Sequence, residues 1–415
     1  MILAIDLGST SFKAAVFDSR LREVGGGGHR LLHRFGAGGQ VELDVAVVET
    51  ALRGALASAR VATHDIQAIA ITSQAQTFTV LDERGRAKGP FFSWQDRRST
   101  AACEELKQKL PEFGEHTSFG NLGPSHQLSQ IRHLQPGAKM RPIALPSYVL
   151  MLLTGETVTD NNMAAMSGLY SLPLKGWWPE ALRGCGLREQ QMSKVIPIGE
   201  VAAQTASAAS RFGLKAGIPV VLAGNDQTAG GYAARLDTKE SLLITLGTAQ
   251  VAYACCRRMP PPRVGTIRGP YPGGRFYRMA ADSCGGNVVN WAETVLAGCH
   301  DDAGFFREAQ AAPAGSHGLV FDAALASGQG DWANLGLHHT RADLARSILE
   351  GLSRRMAELV KRLDLDLKGR EVLAAGGGSL QPLWRKIVSD ALGAKLVRTK
   401  ANPLLGAARM AKEHV

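Results

Sequence analysis

Short apolar runs alternate with amphipathic segments along the whole chain, and this pattern predicts both strands and helices. Residues 2–5 and 11–18 predict two strands joined by a tight turn, and residues 66–72 predict a buried strand. Residues 44–60, which are rich in Ala, Val and Leu, predict an amphipathic helix.

Further helices are predicted over residues 99–110, 128–134, 142–153 and 340–363. Thr340 and Asp343 have the spacing of a capping box at the start of the last of these helices. Residues 160–166 are expected to carry amide side chains into a loop. Residues 236–240 are the expected hinge, which divides the chain into residues 1–235 and 236–415.

Asp226 lies where a buried strand predicted over residues 220–223 is followed by a helix rich in Ala and Gly. A carboxylate at such a turn is free to point into a cleft, and the positive end of the helix favours its charged form. A lone Asp at this place is more often only the N-cap of the helix. The other motifs of the chain favour a functional carboxylate.

Two glycine turns of the same design occur, one in each half of the chain. Asp6-Leu-Gly-Ser-Thr10 and Leu246-Gly-Thr248 each join two predicted strands. Such turns present a concave row of N–H groups that cradles phosphate oxygens, with Lys13 nearby and Asp6 placed to hold hydrated Mg²⁺. One such turn is typical of an ordinary hairpin, whereas the duplication predicts a cleft that holds a triphosphate from both sides.

Polar residues after other strands are candidate ligand contacts. Gln74 follows the strand at 66–72, and Trp94-Gln-Asp-Arg97 follows an apolar run. A flat Trp face with an acceptor, Asp96, and a donor, Arg97, recognises polyols and sugars. The alternative is a buried Trp beside a salt-bridged Asp–Arg pair. Gly376-Gly-Gly378, between a strand and a helix, lets a flat ring or a phosphate approach the backbone.

A chain of 415 residues predicts two domains. The net charge of +10 comes from scattered Lys and Arg without a basic aromatic stripe, so no nucleic-acid partner is expected. The six cysteines have no metal-ligand spacing and are expected to be reduced. No apolar run approaches membrane-spanning length, so we expect a cytoplasmic protein that binds no membrane. A homodimer is compatible with the sequence, which does not reveal the oligomeric state.

The ordered set of motifs resembles the FGGY carbohydrate kinases of the actin-like ATPase superfamily. The matching segments follow the family's order through the whole chain: 4–13, 94–97, 223–227, 246–248, 285–287, 376–384 and 402–408. The resemblance implies two ribonuclease-H-like α/β domains with an interdomain cleft. Residues 1–235 would bind the sugar and carry the catalytic base, and residues 236–415 would bind the nucleotide.

The resemblance also implies a role for each candidate residue. Asp226 would be the general base that takes the proton of a sugar hydroxyl as it attacks the γ-phosphoryl group of MgATP, and Asp6 would organise Mg²⁺. The implied ATP contacts are Gly8, Ser9, Thr10, Lys13, Gly247, Thr248, Gly376, Gly377 and Ser379. The implied sugar contacts are Gln74, Trp94, Asp96, Arg97 and Gln227.

The sedoheptulokinase branch looks closest, through Thr-Asp-Asn-Asn-Met-Ala-Ala at 159–165, so the expected substrate is a ketose such as sedoheptulose. Xylulose, ribulose and glycerol are the alternatives. Glycerol kinases carry Arg-Glu, and the ketose kinases Met-His, where this chain has Ala75-Gln76. Residues 321–332 also depart from the family, with Ala-Ser-Gly-Gln-Gly-Asp at 326–331 where many relatives have a Gly-Glu-Arg-x-Pro loop. A further alternative is a non-catalytic sensor, which would be expected to have lost Asp6, Asp226 or a glycine turn.

Overall fold

The computed structural model of the chain describes residues 1–135, 137, 139–238, 240–296, 301–322 and 330–415. They form two compact units that are not continuous in sequence. Unit 1 comprises Met1–Arg235, Cys256–Tyr277 and Ala401–Val415, and unit 2 comprises Leu236–Cys255 and Arg278–Lys400. The expected boundary at 235/236 coincides with the end of the first segment, but two later segments return to unit 1. The last of them returns because its apolar face packs in the core of that unit.

Unit 1 is built on a six-stranded sheet with the order β14-β15-β6-β1-β2-β3, in which β15, β6 and β1 are parallel. The bounds of these strands are β1 Ile2–Leu7, β2 Ser11–Phe17, β3 Glu23–Arg30, β6 Ala68–Ser73, β14 Val201–Gln204 and β15 Pro219–Asn225. The strands predicted over 2–5, 11–18, 66–72 and 220–223 are therefore confirmed.

A second sheet of unit 1 has the order β4-β5-β8-β7-β9, and two strand pairs, β10-β13 and β11-β12, complete the strands of residues 1–235. Their bounds are β4 Arg34–Gly36, β5 Gln40–Leu43, β7 Phe78–Leu81, β8 Phe91–Phe92, β9 Arg141–Ala144, β10 Val158–Asp160, β11 Tyr170–Ser171, β12 Gly176–Trp177 and β13 Lys194–Ile196.

The helices of unit 1 are α1 Val45–Ser58, α2 Thr100–Lys109, α3 Phe113–His116, α4 Gln127–Leu134, α5 Leu145–Thr154, α6 Asn161–Met166, α7 Pro179–Gly184, α8 Asp226–Ala233 and α13 Pro403–Lys412. Short 3₁₀ helices are Ala37–Gly39, Val61–Thr63, Glu189–Gln191 and Ser207–Phe212. The helices predicted over 44–60, 99–110 and 128–134 agree with α1, α2 and α4.

One prediction for unit 1 is correct only in part, and another is wrong. The helix expected over 142–153 begins only at Leu145, because residues 141–144 pair with β7 as strand β9. Residues 160–166 were expected to form a loop but form helix α6. Asp160 starts this helix as its N-cap, since its carboxylate accepts the N–H groups of Asn162 and Met163, both at 2.9 Å.

The two faces of the central sheet of unit 1 are covered differently. On one face Leu3, Ile5 and Leu7 of β1 pack in a large cluster with α1 and α5. On the other face the small residues Ala4 and Ala70 pack with α13. Because side chains alternate along a strand, the same strand supplies large residues to one layer and small residues to the other. The small residues let α13 lie close to the sheet.

Unit 2 also consists of a buried sheet that packs against helices. Its strands β17, β16, β22 and β23 are neighbours in that order, with β17 and β16 antiparallel as the duplicated turn predicted. The bounds are β16 Leu242–Leu246, β17 Gln250–Cys256, β20 Val320–Phe321, β21 Trp332–Ala333, β22 Val372–Ala375 and β23 Leu396–Arg398. Strands β18 Ile267–Tyr271 and β19 Arg275–Asp282 lie where the chain passes between the units.

The helices of unit 2 are α9 Gly286–Val295, α10 Asp302–Ala311, α11 Arg341–Arg362 and α12 Pro382–Leu392, with 3₁₀ helices at Ser316–Gly318 and Gly377–Leu380. The capping box predicted for α11 is confirmed, since Thr340 N–H donates to Asp343 Oδ2 at 2.9 Å. The divergent segment at 321–332 falls largely on residues 323–329, which lie outside the described residues.

Candidate active site

Three parallel strands of unit 1 end in register at one edge of the sheet. Leu7 of β1 pairs with Ser73 of β6, and Ser73 pairs in turn with Asn225 of β15. The next residues along the chain are Gly8, Gln74 and Asp226. The carboxyl edge of a parallel sheet is where α/β proteins bind ligands, because the loops that leave the strands diverge there. The register therefore brings three of the candidate residues to one edge.

Asp226 is not the N-cap of helix α8. The cap is Asn225, whose Oδ1 accepts the N–H of Thr228 at 2.7 Å. Asp226 is the first helical residue, and its Oδ1 accepts the N–H of Gln227 at 2.7 Å. Since Asn225 already performs the capping role, the half-buried carboxylate of Asp226 is available for chemistry.

Asp6 and Asp226 form an electrostatically coupled pair. Burial raises the pKa of Asp226 to about 6. Burial, and then the charge of Asp226, raise the pKa of Asp6 to about 7, while Lys13 acts in the opposite direction. Both carboxyls therefore titrate closer to neutral pH than an ordinary Asp, and the charge of Asp226 opposes the ionisation of Asp6. Two carboxylates whose pKa values are raised to near neutrality at a strand edge are typical of a functional site.

The Asp6 side chain fits a role in holding Mg²⁺. Its Oδ1 is buried and has no hydrogen-bond partner within the described residues. Mg²⁺ in phosphoryl-transfer sites commonly takes one or two carboxylates together with phosphate oxygens and waters. A dication at this position would also relieve the repulsion that raises the pKa of Asp6.

In the first glycine turn, at Gly8, two backbone segments pack closely against each other. A Cβ atom at Gly8 would lie 2.9 Å from the carbonyl oxygen of Ser11, so a side chain is disfavoured there. Gln74 lies against this turn, since its Nε2 donates to the Gly8 carbonyl at 3.3 Å. Its buried Oε1 lacks a partner among the described residues. Ser9 and Gly8 are half-buried, and Thr10 and Lys13 are exposed.

Trp94 is exposed, with 37% of its surface accessible, so the alternative of a buried Trp is wrong. Its backbone N–H donates to Thr77 Oγ1 at 3.3 Å, which ties it to the loop that follows β6. The exposed ring is thus held beside the loop that contains Gln74. A flat apolar surface in that place can pack against the C–H face of a sugar.

The carboxylate of Asp96 forms an ion pair within unit 1. Its partner is Arg98 rather than Arg97. Its carboxylate receives Arg98 Nη2 at 2.7 Å and the N–H of Val41 at 3.0 Å. Burial acts to raise the pKa of Asp96, and the bonds from Arg98 outweigh it, so the pKa lies below its usual value. Arg97 is exposed. Within the described residues the carboxylate of Asp96 therefore serves first to hold the Trp94 segment in place.

Gln76 bridges three segments of unit 1 from a left-handed backbone conformation, with φ of 70°. Its Nε2 donates to the Met166 carbonyl at 2.6 Å, and its Oε1 accepts the N–H of Gln127 at 2.8 Å. The amide thus joins the end of α6 to the start of α4. Where the chain departs from the family pattern, it therefore has a neutral side chain whose amide nitrogen and amide oxygen are both hydrogen-bonded within unit 1.

Helix α8 is held from behind by α13. Gly406 approaches so closely that a Cβ atom there would lie 1.7 Å from the carbonyl oxygen of Ala229. Arg409 Nη1 donates to the carbonyls of Tyr232 and Ala233, each at 3.0 Å, at the end of α8. A cation at the C-terminus of a helix satisfies its last carbonyls and opposes its dipole. The C-terminal helix therefore helps to place Asp226.

Three glycine segments of unit 2 meet around a cavity of about 300 Å³. The N–H of Gly286 donates to the Gly247 carbonyl at 2.7 Å. Gly376 has φ of 86°, and a Cβ atom there would lie 2.6 Å from the Leu246 carbonyl oxygen. The close approach and the positive φ at Gly376 require Gly at that position. The structure therefore brings together the turns at 247–248, 285–286 and 376–378, which are far apart in sequence.

Side chains line the cavity together with the glycines. The lining residues are Leu246, Gly247, Thr248, Gly286, Val289, Asn290, Phe306, Gly377, Gly378, Gln381 and Trp384. The rings of Phe306 and Trp384 lie 6.5 Å apart. Ser379, a predicted nucleotide contact, is not among the lining residues, because its hydroxyl donates to the Gly376 carbonyl at 2.6 Å and closes the turn. Sequence reasoning missed Phe306 and Asn290, which no motif distinguishes, and it did not single out Gln381 within the matching segment 376–384.

Family models match nearly the whole chain. The N-terminal domain of the FGGY family of carbohydrate kinases matches residues 1–232, and its C-terminal domain matches residues 242–412. The chain belongs to the FGGY family of carbohydrate kinases. It is therefore a phosphotransferase with a two-domain α/β fold of the actin-like ATPase type, and membership of this kinase family implies ATP as a substrate.

Relatives of this FGGY kinase carry different substrate names. A xylulose kinase of Escherichia coli is 25% identical, with 84% of this chain and 76% of the relative covered. A glycerol kinase of Deinococcus radiodurans is 25% identical, with 99% and 88% covered. The crystal structure of a ligand-bound xylulose kinase from Lactobacillus acidophilus has a TM-score of 0.89 at 20% identity, with 99% and 89% covered. This likeness shows the fold.

Within the described residues of this family member, no helix combines the length and the apolar character needed to cross a membrane. The described cysteines, Cys103, Cys185, Cys255, Cys256 and Cys284, are not joined by disulfides.

Proposed function

We propose that this kinase transfers the γ-phosphoryl group of ATP to a hydroxyl of a ketose, with sedoheptulose or a pentulose as substrate and Asp226 as the general base. The observation that carries the proposal is the coupled pair Asp6–Asp226 at the carboxyl edge of the unit 1 sheet. A base with a pKa of about 6 is ionised at neutral pH and still basic enough to accept a proton as the hydroxyl attacks.

Each residue of the edge has a defined task in this proposal. Asp6 would hold Mg²⁺, which supplies charge neutralisation on the phosphate oxygens. The turn at Gly8, Ser9 and Thr10, with Lys13, would bind phosphate oxygens by N–H groups and charge. Gln227, whose side chain and N–H both bond to the Asp226 carboxylate, would orient the base beside the sugar. Positioning and electrostatics supply most of the catalysis in such transfers.

The sugar would lie against the exposed face of Trp94, with Gln74 as a hydrogen-bonding partner. Gln74 supports this role because its buried Oε1 is an acceptor without a partner in the described structure. Arg97, which is exposed and lies close to Trp94 in sequence, would donate hydrogen bonds to sugar hydroxyls. Asp96 would contribute to sugar binding indirectly, because it holds the segment that carries Trp94. The pocket would recognise a neutral polyol chain, since Ala75 and Gln76 contribute no charge.

The cavity of unit 2 would bind the adenosine part of ATP. Gly247 and Thr248 would contact phosphates, and the backbone of Gly376 and Gly377 would lie next to the nucleoside. The adjacent rings of Phe306 and Trp384 supply apolar surface suited to a purine, and Gln381 and Asn290 supply polar groups.

Gly377 provides a direct test of this assignment. A Cβ atom at Gly377 would meet no heavy atom within 4 Å, so Gly377→Ala is expected to leave the melting temperature within about 2 °C of the native value. Because Gly377 lines the cavity, the added methyl group is expected to raise KM for ATP at least about 10-fold, with KM for the sugar unchanged. Initial rates at varied ATP and a melting curve measure both effects.

Gly393→Ala is the matched control, because Gly393 is also free of contacts within 4 Å and does not line this cavity. It has φ of 61°, so a small loss of stability is expected there, without a change in KM for ATP. An unchanged KM for ATP in Gly377→Ala would place the nucleotide elsewhere.

The substrate is tested by ADP release from the purified protein with sedoheptulose, xylulose, ribulose, glycerol and a set of aldoses. We expect kcat/KM for one of the ketoses to exceed that for glycerol and the aldoses at least about 10-fold, a discrimination that hydrogen bonds to substrate hydroxyls can supply. The highest kcat/KM with glycerol would replace the proposal by the glycerol kinase alternative. ATP binding without ADP release on any sugar would favour the sensor.

A further inference from the structure

The helix that carries Asp226 is poorly suited to hold a catalytic carboxylate by itself. Helix α8 has only 8 residues, Asp226–Ala233, and includes Gly230 and Gly231. Short helices with glycine have little intrinsic stability, so their position depends on tertiary contacts. The place of Asp226 at the first helical residue is therefore set by the groups that hold Asn225 and Thr228 on either side of it.

One buried side chain holds both of these neighbours. Asn162 is fully buried, and its Oδ1 accepts the N–H of Asn225 at 3.0 Å. Its Nδ2 donates to Thr228 Oγ1 at 3.1 Å and to the carbonyl oxygen of Pro270 at 2.8 Å. The amide thus bonds to the residue before Asp226 and to the residue two after it, while its third bond anchors it to strand β18.

Asp160 holds Asn162 from the other side. Its Oδ1 accepts the N–H of Asn162 at 2.9 Å as the cap of α6. The same carboxylate receives a backbone hydrogen bond from Gly224, just before Asn225. Gly224 has φ of 67°, and a Cβ atom there would lie 2.9 Å from Asn162 Oδ1, so the amide and the strand end are in close contact. The whole arrangement is internal to unit 1.

We propose that Asn162 is a positioning residue of the phosphoryl-transfer reaction, which sets the place of the Asp226 carboxylate through Asn225 and Thr228, with Asp160 holding the backbone N–H of Asn162. This proposal rests on the proposed function, because it takes Asp226 as the base. Misplacement of a catalytic group by about 1 Å can lower a rate about 100-fold. Nothing in Asn162 itself needs to touch the sugar or ATP.

The test is a double-mutant cycle between Asn162→Ala and Asp226→Asn. In the native background, Asn162→Ala is expected to lower kcat about 10- to 100-fold, with KM for sugar and for ATP changed less than about 3-fold. In the Asp226→Asn background it is expected to lower the residual kcat less than about 2-fold, because no base remains to be misplaced. Because the residual rate is low, it is measured by following ADP release over hours.

Asn161→Ala is the matched control. Asn161 is the neighbouring residue of the same helix, and its Oδ1 accepts the N–H of Ile198 at 3.0 Å rather than a group of α8. It removes an amide of the same type, and kcat is expected to stay within about 2-fold of native. Thr228→Val, which deletes the hydroxyl that accepts one Asn162 bond, is expected to lower kcat about 3- to 10-fold and serves if Asn162→Ala fails to fold.

Three results would overturn the proposal. These are an equal loss of kcat from Asn162→Ala in both backgrounds, no loss in the native background, and, where Asn162→Ala does not fold, a native kcat in Thr228→Val. Failure of the proposed function has a different signature, since Asp226→Asn alone would then phosphorylate the sugar at the native rate.

Discussion

Asp226→Asn is expected to lower kcat for sugar phosphorylation about 10²- to 10⁴-fold, because the amide keeps the shape of the side chain but cannot accept the proton. Binding of ATP is expected to stay within about 2-fold of native, since the cavity proposed for the nucleotide is lined by residues of unit 2. ADP release at saturating sugar and calorimetric titration with ATP measure the two quantities. Phosphorylation by Asp226→Asn at the native rate would contradict the assignment of Asp226 as the base.

The same substitution is expected to raise the free energy of unfolding. The pKa of Asp226 in the folded protein, about 6, is above its unfolded value, so the ionised carboxylate destabilises the fold. This cost is absent below about pH 4, grows as the pH rises to about 6 and is constant above it. The gain from Asp226→Asn should be about 1–2 kcal/mol at pH 8 for a half-buried group and should shrink towards pH 4.

Asp18→Asn is the control with the opposite sign. Asp18 accepts the N–H groups of Arg20 and Arg22, at 2.8 and 2.9 Å, and these bonds hold its pKa below the usual value. A depressed pKa stabilises the fold above the unfolded pKa, and this contribution is lost as the pH falls. Asp18→Asn should therefore keep full activity and lower the stability at pH 8. Urea unfolding at pH 8 and pH 4.5 distinguishes the two variants.

Gly406→Ala is expected to destabilise unit 1 by more than about 3 kcal/mol and to abolish most activity. The new Cβ atom would overlap the Ala229 carbonyl, at 1.7 Å, so α13 and α8 must separate. Separation would also strain the bonds of Arg409 to the end of α8 and displace Asp226. Urea unfolding and the kcat of the surviving folded fraction measure the two consequences.

Gly230→Ala is the matched control on the partner helix. A Cβ atom at Gly230 would meet nothing within 4 Å, and Ala favours a helix by about 0.5–1 kcal/mol over Gly. This variant should therefore be as stable as the native chain or more stable. If Gly406→Ala unfolds at the same urea concentration as Gly230→Ala, close packing of α13 on α8 does not determine the stability of the unit.

Several buried carboxylates of the candidate site lower the stability of the fold when they ionise. Asp6, Asp226 and Asp160 are three carboxylates with pKa values raised, to about 7, 6 and 6, by burial first of all. Each costs free energy when it ionises in the folded protein, while Asn162 and α13 hold the surrounding backbone. Strained or desolvated groups of this kind persist at functional sites because the rest of the fold supplies the compensating stability.

Motif residues were recognised from the sequence because local chemistry requires them at fixed spacing. Gly8 and Gly376 are needed where backbone approaches backbone, and the capping box of α11 joins two residues three apart. Helix α6 was mistaken for a loop because Asp160 and the two asparagines have low helix propensity, and the cap that compensates is visible only as a hydrogen bond. Strand β9 was included in a helix because its pairing partner β7 is distant in sequence.

The sequence by itself determined the secondary structure of most segments, which follows from periodicity and turn geometry, and the family, which follows from the resemblance of the ordered set of motifs. It also singled out the candidate carboxylates and glycine turns, because their side-chain type and spacing are local features. Only the tertiary structure decided that Asn225 rather than Asp226 caps α8, that Asp96 pairs with Arg98, and that Phe306 joins the glycine turns around one cavity. These features are contacts that depend on packing and register, and neither local spacing nor local composition specifies them.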